Sequence, residues 1–156
     1  MSVLAQHDSG PRLLSLATTF TDALNRVPLS VPQLLARLGL AGVFFRSGMS
    51  KITNWDLTVQ LFQEEYRVPV LPPDLAASLA TSVELSVPVF LALGLFTRIA
   101  TLPLLGMTAV IEIFVYPLSW PEHLTWAALL VLLLIRGGGT FSLDHLIGAA
   151  VRRTMG

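Results

Sequence analysis

Five polar side chains stand where a chain this apolar can least easily hold them: Arg46, Lys51, Glu84, Glu112 and His123 lie in, or at the ends of, long apolar runs. A charge at bilayer depth costs roughly 3 kcal/mol or more unless it faces protein, water or a partner. Each therefore needs a neighbour. Depth along the runs says which can meet. Arg46 falls some fifteen residues past Val31, Glu84 about ten past Leu75, and Glu112 about fourteen past Arg98, while His123 opens the last run. With successive runs crossing in opposite directions, these positions converge between the midplane and one membrane surface. The expectation is one buried polar cluster of Arg46, Glu84 and Glu112, with Lys51 and His123 near its mouth.

Such a cluster has two uses. As a structural device, Arg46 pairs with a carboxylate and fixes helix register, with a net stability contribution near zero. As a pocket, it binds the head of a quinone or another small polar group, with Arg46 donating hydrogen bonds and Glu84 or Glu112 accepting a proton. A metal site fits less well: the carboxylates and His123 form no i, i+3 or i+4 ligand pair, and the arginine opposes a cation. Haem ligation by His123 with Met49 or Met107 is weaker still. Asp144 and His145 follow Ser142 in a first helical turn, where the helix dipole alone accounts for a carboxylate. No nucleotide fingerprint is present, and no catalytic residue is assigned.

The elements that must position these residues follow from composition. Of 156 residues, 53% are hydrophobic and only 13% charged, against about 25% charged in a soluble domain. The mean hydropathy of +0.69 agrees. Net charge is zero and cysteine is absent. No global basic field draws in nucleic acid or acidic lipid, and dithiol chemistry, iron–sulfur ligation and covalent haem attachment are excluded. Any redox role must then use a bound small molecule or a partner's cofactor.

The pattern predicts an all-α membrane protein: a four-transmembrane-helix bundle with an N-terminal amphipathic surface helix and a short extracytoplasmic capping helix. Residues 1–30 hold a polar segment and the amphipathic stretch from Pro11 to Val27, too polar to span. No cleaved leader is expected there. Residues 31–148 hold the membrane domain, with spans at about 31–50, 75–95, 98–118 and 120–136; residues 142–156 form a C-terminal amphipathic helix. In the first span Gly39, Gly42 and Arg46 share a side, which predicts a close helix approach with the arginine pointing inward. In the second Ala77, Thr81, Glu84 and Pro88 share a face, and in the third Thr101, Leu105, Thr108 and Glu112 do. Trp55, Val59, Phe62 and Tyr66 recur at helical spacing in the capping helix, and the run Val68 to Pro73 forbids helix. Thr97 is the expected N-cap of the third span and Ser142 that of the last helix. Arg12, Arg26, Arg98, Arg136, Arg152 and Arg153 gather on the side of the termini, which puts both termini in the cytoplasm.

Four segments in order resemble the DoxX-like family of small membrane proteins: RLGLAGVFFRSGMSKITNWD (Arg37–Asp56), EYRVPVLPP (Glu65–Pro73), Glu84 followed by PVFLALGLFTRIA (Pro88–Ala100), and GGGTFSLD (Gly137–Asp144). The resemblance spans roughly residues 34–148; Gly138 stands where the family pattern has proline. It implies the four-helix fold and a bacterial-type inner membrane. It further implies an accessory subunit of a membrane-associated redox system, quinone-linked, that docks a soluble or peripheral oxidoreductase, and it is compatible with a homo-oligomer. From a different class, a non-catalytic scaffold or a small-solute permeation protein also accommodates a buried charge cluster.

Overall fold

The computed structural model describes residues 10–155, with side chains from Leu14 onward; the expected loose polar start and the side chains of Arg12 and Leu13 lie outside the described residues. Among the described residues there is helix and no strand. The helices are α1 (Gly10–Asn25), α2 (Ser30–Thr53), α3 (Trp55–Leu61), α4 (Pro73–Leu93), α5 (Thr97–Val110), α6 (Trp120–Arg136) and α7 (Leu143–Met155). Two of them run on into a wider, π-helical turn, α3 at Phe62–Tyr66 and α5 at Ile111–Val115.

Helix α1 leaves every described side chain exposed, including Leu14, Leu16, Phe20 and Leu24. The chain then bends by 66° into α2, across Pro28, which removes a backbone donor. Helix α2 packs along α4, α4 on α5, α5 on α6, and α6 back on α2, so the four long helices close a ring. Ala36, Leu40, Phe44, Leu91, Ala100, Leu104, Leu130 and Leu133 fill it. Two helices, Pro73–Leu93 and Thr97–Val115, are each long and apolar enough to cross a membrane, and the bent pair of α1 and α2 makes up to three. Large apolar side chains such as Leu35, Ile99, Ile113 and Ile135 cover the outside, far more than a water-facing surface carries.

The ring has two unlike ends. At the terminal end, α4 stops at Gly94 (φ +68°), whose N–H reaches Leu91 O while Leu95 N reaches Phe90 O. That left-handed position favours glycine, and a Cβ there would lie 2.6 Å from the Arg37 guanidinium carbon. The first turn of α5 is capped from far along the chain: Asp144 Oδ1 accepts from Phe96 N at 2.7 Å and its Oδ2 from Thr97 N at 2.9 Å. Thr97 is therefore the first helical residue rather than the cap. A remote carboxylate serves the helix dipole better than a local hydroxyl. Ser142 does cap α7, accepting from His145 N.

At the far end, Asn54 accepts from Leu57 N to start α3. Phe62 is buried with Ala76 and Ala77 of α4, joined by Val59, Tyr66 and Val68. The expected capping helix thus sits on the first turns of α4; of the run Val68 to Pro73, the residues to Pro72 are not helical, but Pro73 is itself the first residue of α4, where a missing N–H costs nothing.

The Gly39–Gly42–Arg46 stripe is corrected by the structure. Gly39 and Gly42 have open space where a side chain would be, and Arg46 is exposed. The buried face runs instead through Gln33, Ala36, Arg37, Leu40, Ala41, Phe44 and Gly48, which at 100° per residue lies on nearly the opposite side of the helix. The close approach falls at Gly48, where a Cβ would lie 2.9 Å from Glu84 Cβ and from Leu85 Cδ2.

Candidate functional site

Gly48 explains how two charges come to share the interior. Because it carries no side chain, α4 lies against α2, and Lys51, nearly one turn on, reaches across. Lys51 Nζ donates to Glu84 Oε2 at 2.7 Å, to Glu84 Oε1 at 2.9 Å and to Ser47 Oγ at 2.8 Å; Ser47 Oγ in turn donates to Glu84 Oε1 at 3.1 Å. The lysine side chain is 15% exposed and the glutamate 3%. Pro88, four residues after Glu84, lacks the N–H that the Glu84 carbonyl would otherwise accept, loosening α4 beside the pair. The expected face Ala77–Thr81–Glu84–Pro88 is buried throughout.

A second pair stands on the other side of the ring. Glu112, in the π-helical turn after α5, lies 2.6 Å by its Oε2 from His123 Nδ1 in the first turn of α6. His123 is 4% exposed and its ring centroid lies 5.1 Å from that of Trp126. An ionised carboxylate only accepts, so with Glu112 charged the Nδ1–H donates and Nε2 is left as the imidazole's other functional atom. The wider turn of a π-helix shifts the side-chain phase, and such turns recur at functional sites.

Between the two pairs lies a cavity of about 440 Å³, within the range of small-molecule sites. Ser47, Lys51 and Glu84 line one wall and His123 and Glu122 another, with Phe44, Phe62, Tyr66, Tyr116 and Trp126 supplying rings. Phe44 and Trp126 meet edge-on at 5.5 Å. At the far end Tyr66 and Tyr116 meet edge-on at 5.8 Å, and the Tyr116 hydroxyl donates to Glu65 Oε1 at 3.2 Å.

Lys51, Glu84 and His123 line one cavity and Glu112 stands behind His123, but in two separate pairs rather than one cluster. Arg46 joins neither: it is exposed and has no polar partner among the described residues. Lys51 takes the part foreseen for it. Ser47, Gly48, Glu122 and the aromatic wall were not foreseen. The 3.6-residue phase through Leu40, Phe44, Gly48 and Lys51 carried the signal.

Arg37, the other arginine of the first span, stands outside the expected cluster. It is 1% exposed and faces no carboxylate within ion-pair distance among the described residues. Its Nε donates to Leu91 O, its Nη2 to Ala92 O, and its Nη1 to both Gly138 O and Phe141 O, with distances from 2.5 to 2.9 Å. The first two are last-turn carbonyls of α4, at the negative end of its dipole, and Leu91 O accepts from Gly94 N as well. Arg37 fastens the loop after α6 to the end of α4. Its role is architectural.

The family model for DoxX matches residues 33–117, over half of the chain. The protein belongs to the DoxX family. It is a small multi-pass membrane protein whose apolar helices contact lipid. The matched stretch carries Arg37, Lys51, Glu84 and Glu112, while His123 and the Asp144 cap lie beyond it. No curated protein and no solved structure matches the chain.

Proposed function

We propose that this DoxX protein is the membrane subunit of a redox system and holds a quinone head group in the far-end cavity. All four long helices cross a bacterial-type inner membrane in this reading, with both termini cytoplasmic, as the arginine distribution favours. The observation that carries it is the cavity between two proton-bearing pairs, Lys51–Glu84 and His123–Glu112, with aromatic rings between them. The residues fit a flat, apolar ring with polar oxygens at opposite edges: a cation on one wall, an imidazole on the other, and Phe44 and Trp126 along its face.

A quinone bound there would supply two-electron, two-proton chemistry. Lys51 Nζ and His123 Nε2 are the donors that orient a carbonyl. Glu84 and Glu112 hold their partners in place and buffer the proton each partner carries. Burial of Glu84 keeps that proton inventory off bulk water. With no cysteine in the chain, electrons come from a docked oxidoreductase, as the family resemblance implies.

The test is purification in native lipid discs followed by solvent extraction and quinone quantification. Near-stoichiometric quinone is expected with the wild-type protein. The Lys51→Gln/Glu84→Gln double variant keeps a neutral hydrogen-bonded pair, and its occupancy should fall about tenfold, as a charge-assisted bond becomes a neutral one. Absence of quinone from wild-type discs, with the helical signal intact, would remove the quinone reading and leave a scaffold or permeation role.

A further inference from the structure

The terminal end carries a second and larger cleft, separate from the far-end cavity. It has a volume of about 720 Å³ and is open to its surroundings. Arg98 from the first turn of α5, Arg136 from the last turn of α6, and Arg152 and His145 from α7 line it together. Three helices thus deliver three guanidinium groups to one hollow. Asp144 is the single carboxylate among its lining residues, and both its oxygens are already committed to the backbone N–H groups of Phe96 and Thr97. Arg98 is held by a bond from Nη2 to Ile135 O, which keeps its cation at the rim. No described carboxylate pairs with Arg98, Arg136 or Arg152. The cleft therefore carries an excess of positive charge, three guanidinium groups to one carboxylate.

Its surroundings are apolar. Phe96, Ile99 and Ile135 stand 59 to 65% exposed around it. The exposed Leu146, Ile147 and Val151 give α7 an apolar side, as in a helix that lies in the headgroup layer. Basic pockets between helices at this depth suit the head group of an anionic lipid. A soluble acidic partner would leave the apolar rim unused. We infer that the terminal-end cleft is a binding site for an anionic phospholipid, its phosphate held by Arg98, Arg136 and Arg152 and its acyl chains running down past Ile99 and Ile135.

Native mass spectrometry of the full chain tests this, with protein released from discs of phosphatidylcholine, phosphatidylglycerol or cardiolipin. The wild type should retain anionic lipid and shed phosphatidylcholine. The Arg136→Gln/Arg152→Gln variant, whose altered side chains make no described hydrogen bond, should lose about 25-fold in retention, at roughly fivefold per basic residue. Its melting midpoint in phosphatidylcholine discs should not change, which separates lost binding from lost folding. Adding millimolar inorganic phosphate should leave lipid retention intact. Equal retention of neutral and anionic lipid overturns the assignment, and so does undiminished retention by the variant. Displacement of the lipid by phosphate would make the cleft a site for a free anion and would equally overturn the lipid assignment.

Discussion

At the scale of single residues, the structure sorts cations by what they touch rather than by how deep they lie in sequence. Arg46 and Arg37 look alike on paper, each an arginine within the same apolar run. One is exposed and the other is the most completely buried charged side chain described. Arg46→Ala should therefore leave the melting midpoint in lipid discs unchanged; a clear drop would mean that Arg46 has an inward partner. Arg37→Lys should be costly even though it keeps the charge. A single ammonium cannot serve four carbonyls spread over two segments, and each buried acceptor left without a donor costs about 1–3 kcal/mol. Thermal unfolding should register a loss of at least about 3 kcal/mol; a near-neutral result would refute the clamp. Lys51→Ala strands Glu84 and should cost about 3–5 kcal/mol, while Lys51→Met/Glu84→Leu together should recover most of that. A double variant as unstable as the single one would contradict the pairing. The need for a buried partner was legible from the sequence. Which of two nearby cations supplied it was not, because Arg46 and Lys51 stand about 140° apart around the helix and the choice turns on which side is buried.

Elements show where local reading ends. The four long helices, the breaks at Gly94 and after Arg136, and the Ser142 cap were all visible as proline, glycine and hydroxyl punctuation. The cap of α5 was not. Thr97 satisfies every local criterion, yet Asp144 takes the position from 47 residues away and ties α7 to the α4–α5 turn. Only tertiary geometry can announce such a bond. Asp144→Asn halves the interaction, because an amide offers one acceptor in place of two and carries no charge for the dipole. A stability loss of about 0.5–2 kcal/mol is expected, together with faster amide exchange at Phe96 or Thr97. Unchanged exchange at both would argue against the cap. Gly48 is likewise an element-scale residue, since it sets the distance between α2 and α4. Gly48→Val should push the helices apart by colliding with Glu84 Cβ and Leu85, at a cost of roughly 1–3 kcal/mol or more. The π-helical turns were not legible either: helical spacing predicts continuation, and nothing in it marks the wider turns at Phe62–Tyr66 and Ile111–Val115.

In the molecule as a whole, apolar side chains both cover the outside and fill the middle of the ring. Its buried polar residues concentrate at the two ends: Arg37, Thr97, Ser142 and the Asp144 cap at one, Lys51, Glu84 and His123 at the other. The middle of the ring is held by Leu40, Leu104, Leu130 and Leu133. That arrangement separates an end where Arg37 and Asp144 tie the helices together and the exposed arginines gather from an end whose cavity lies between two charged pairs. The most direct test of the quinone assignment uses Trp126, which lines the cavity. In a Trp55→Phe/Trp120→Phe background, Trp126 is the single tryptophan, and a short-chain quinone can be titrated against its fluorescence in lipid discs. The account predicts saturable quenching that weakens about tenfold when Lys51→Gln and Glu84→Gln are added. Quenching that rises linearly with quinone, and equally in both proteins, would mean that the quinone only collides from the lipid, and the cavity would not be its site.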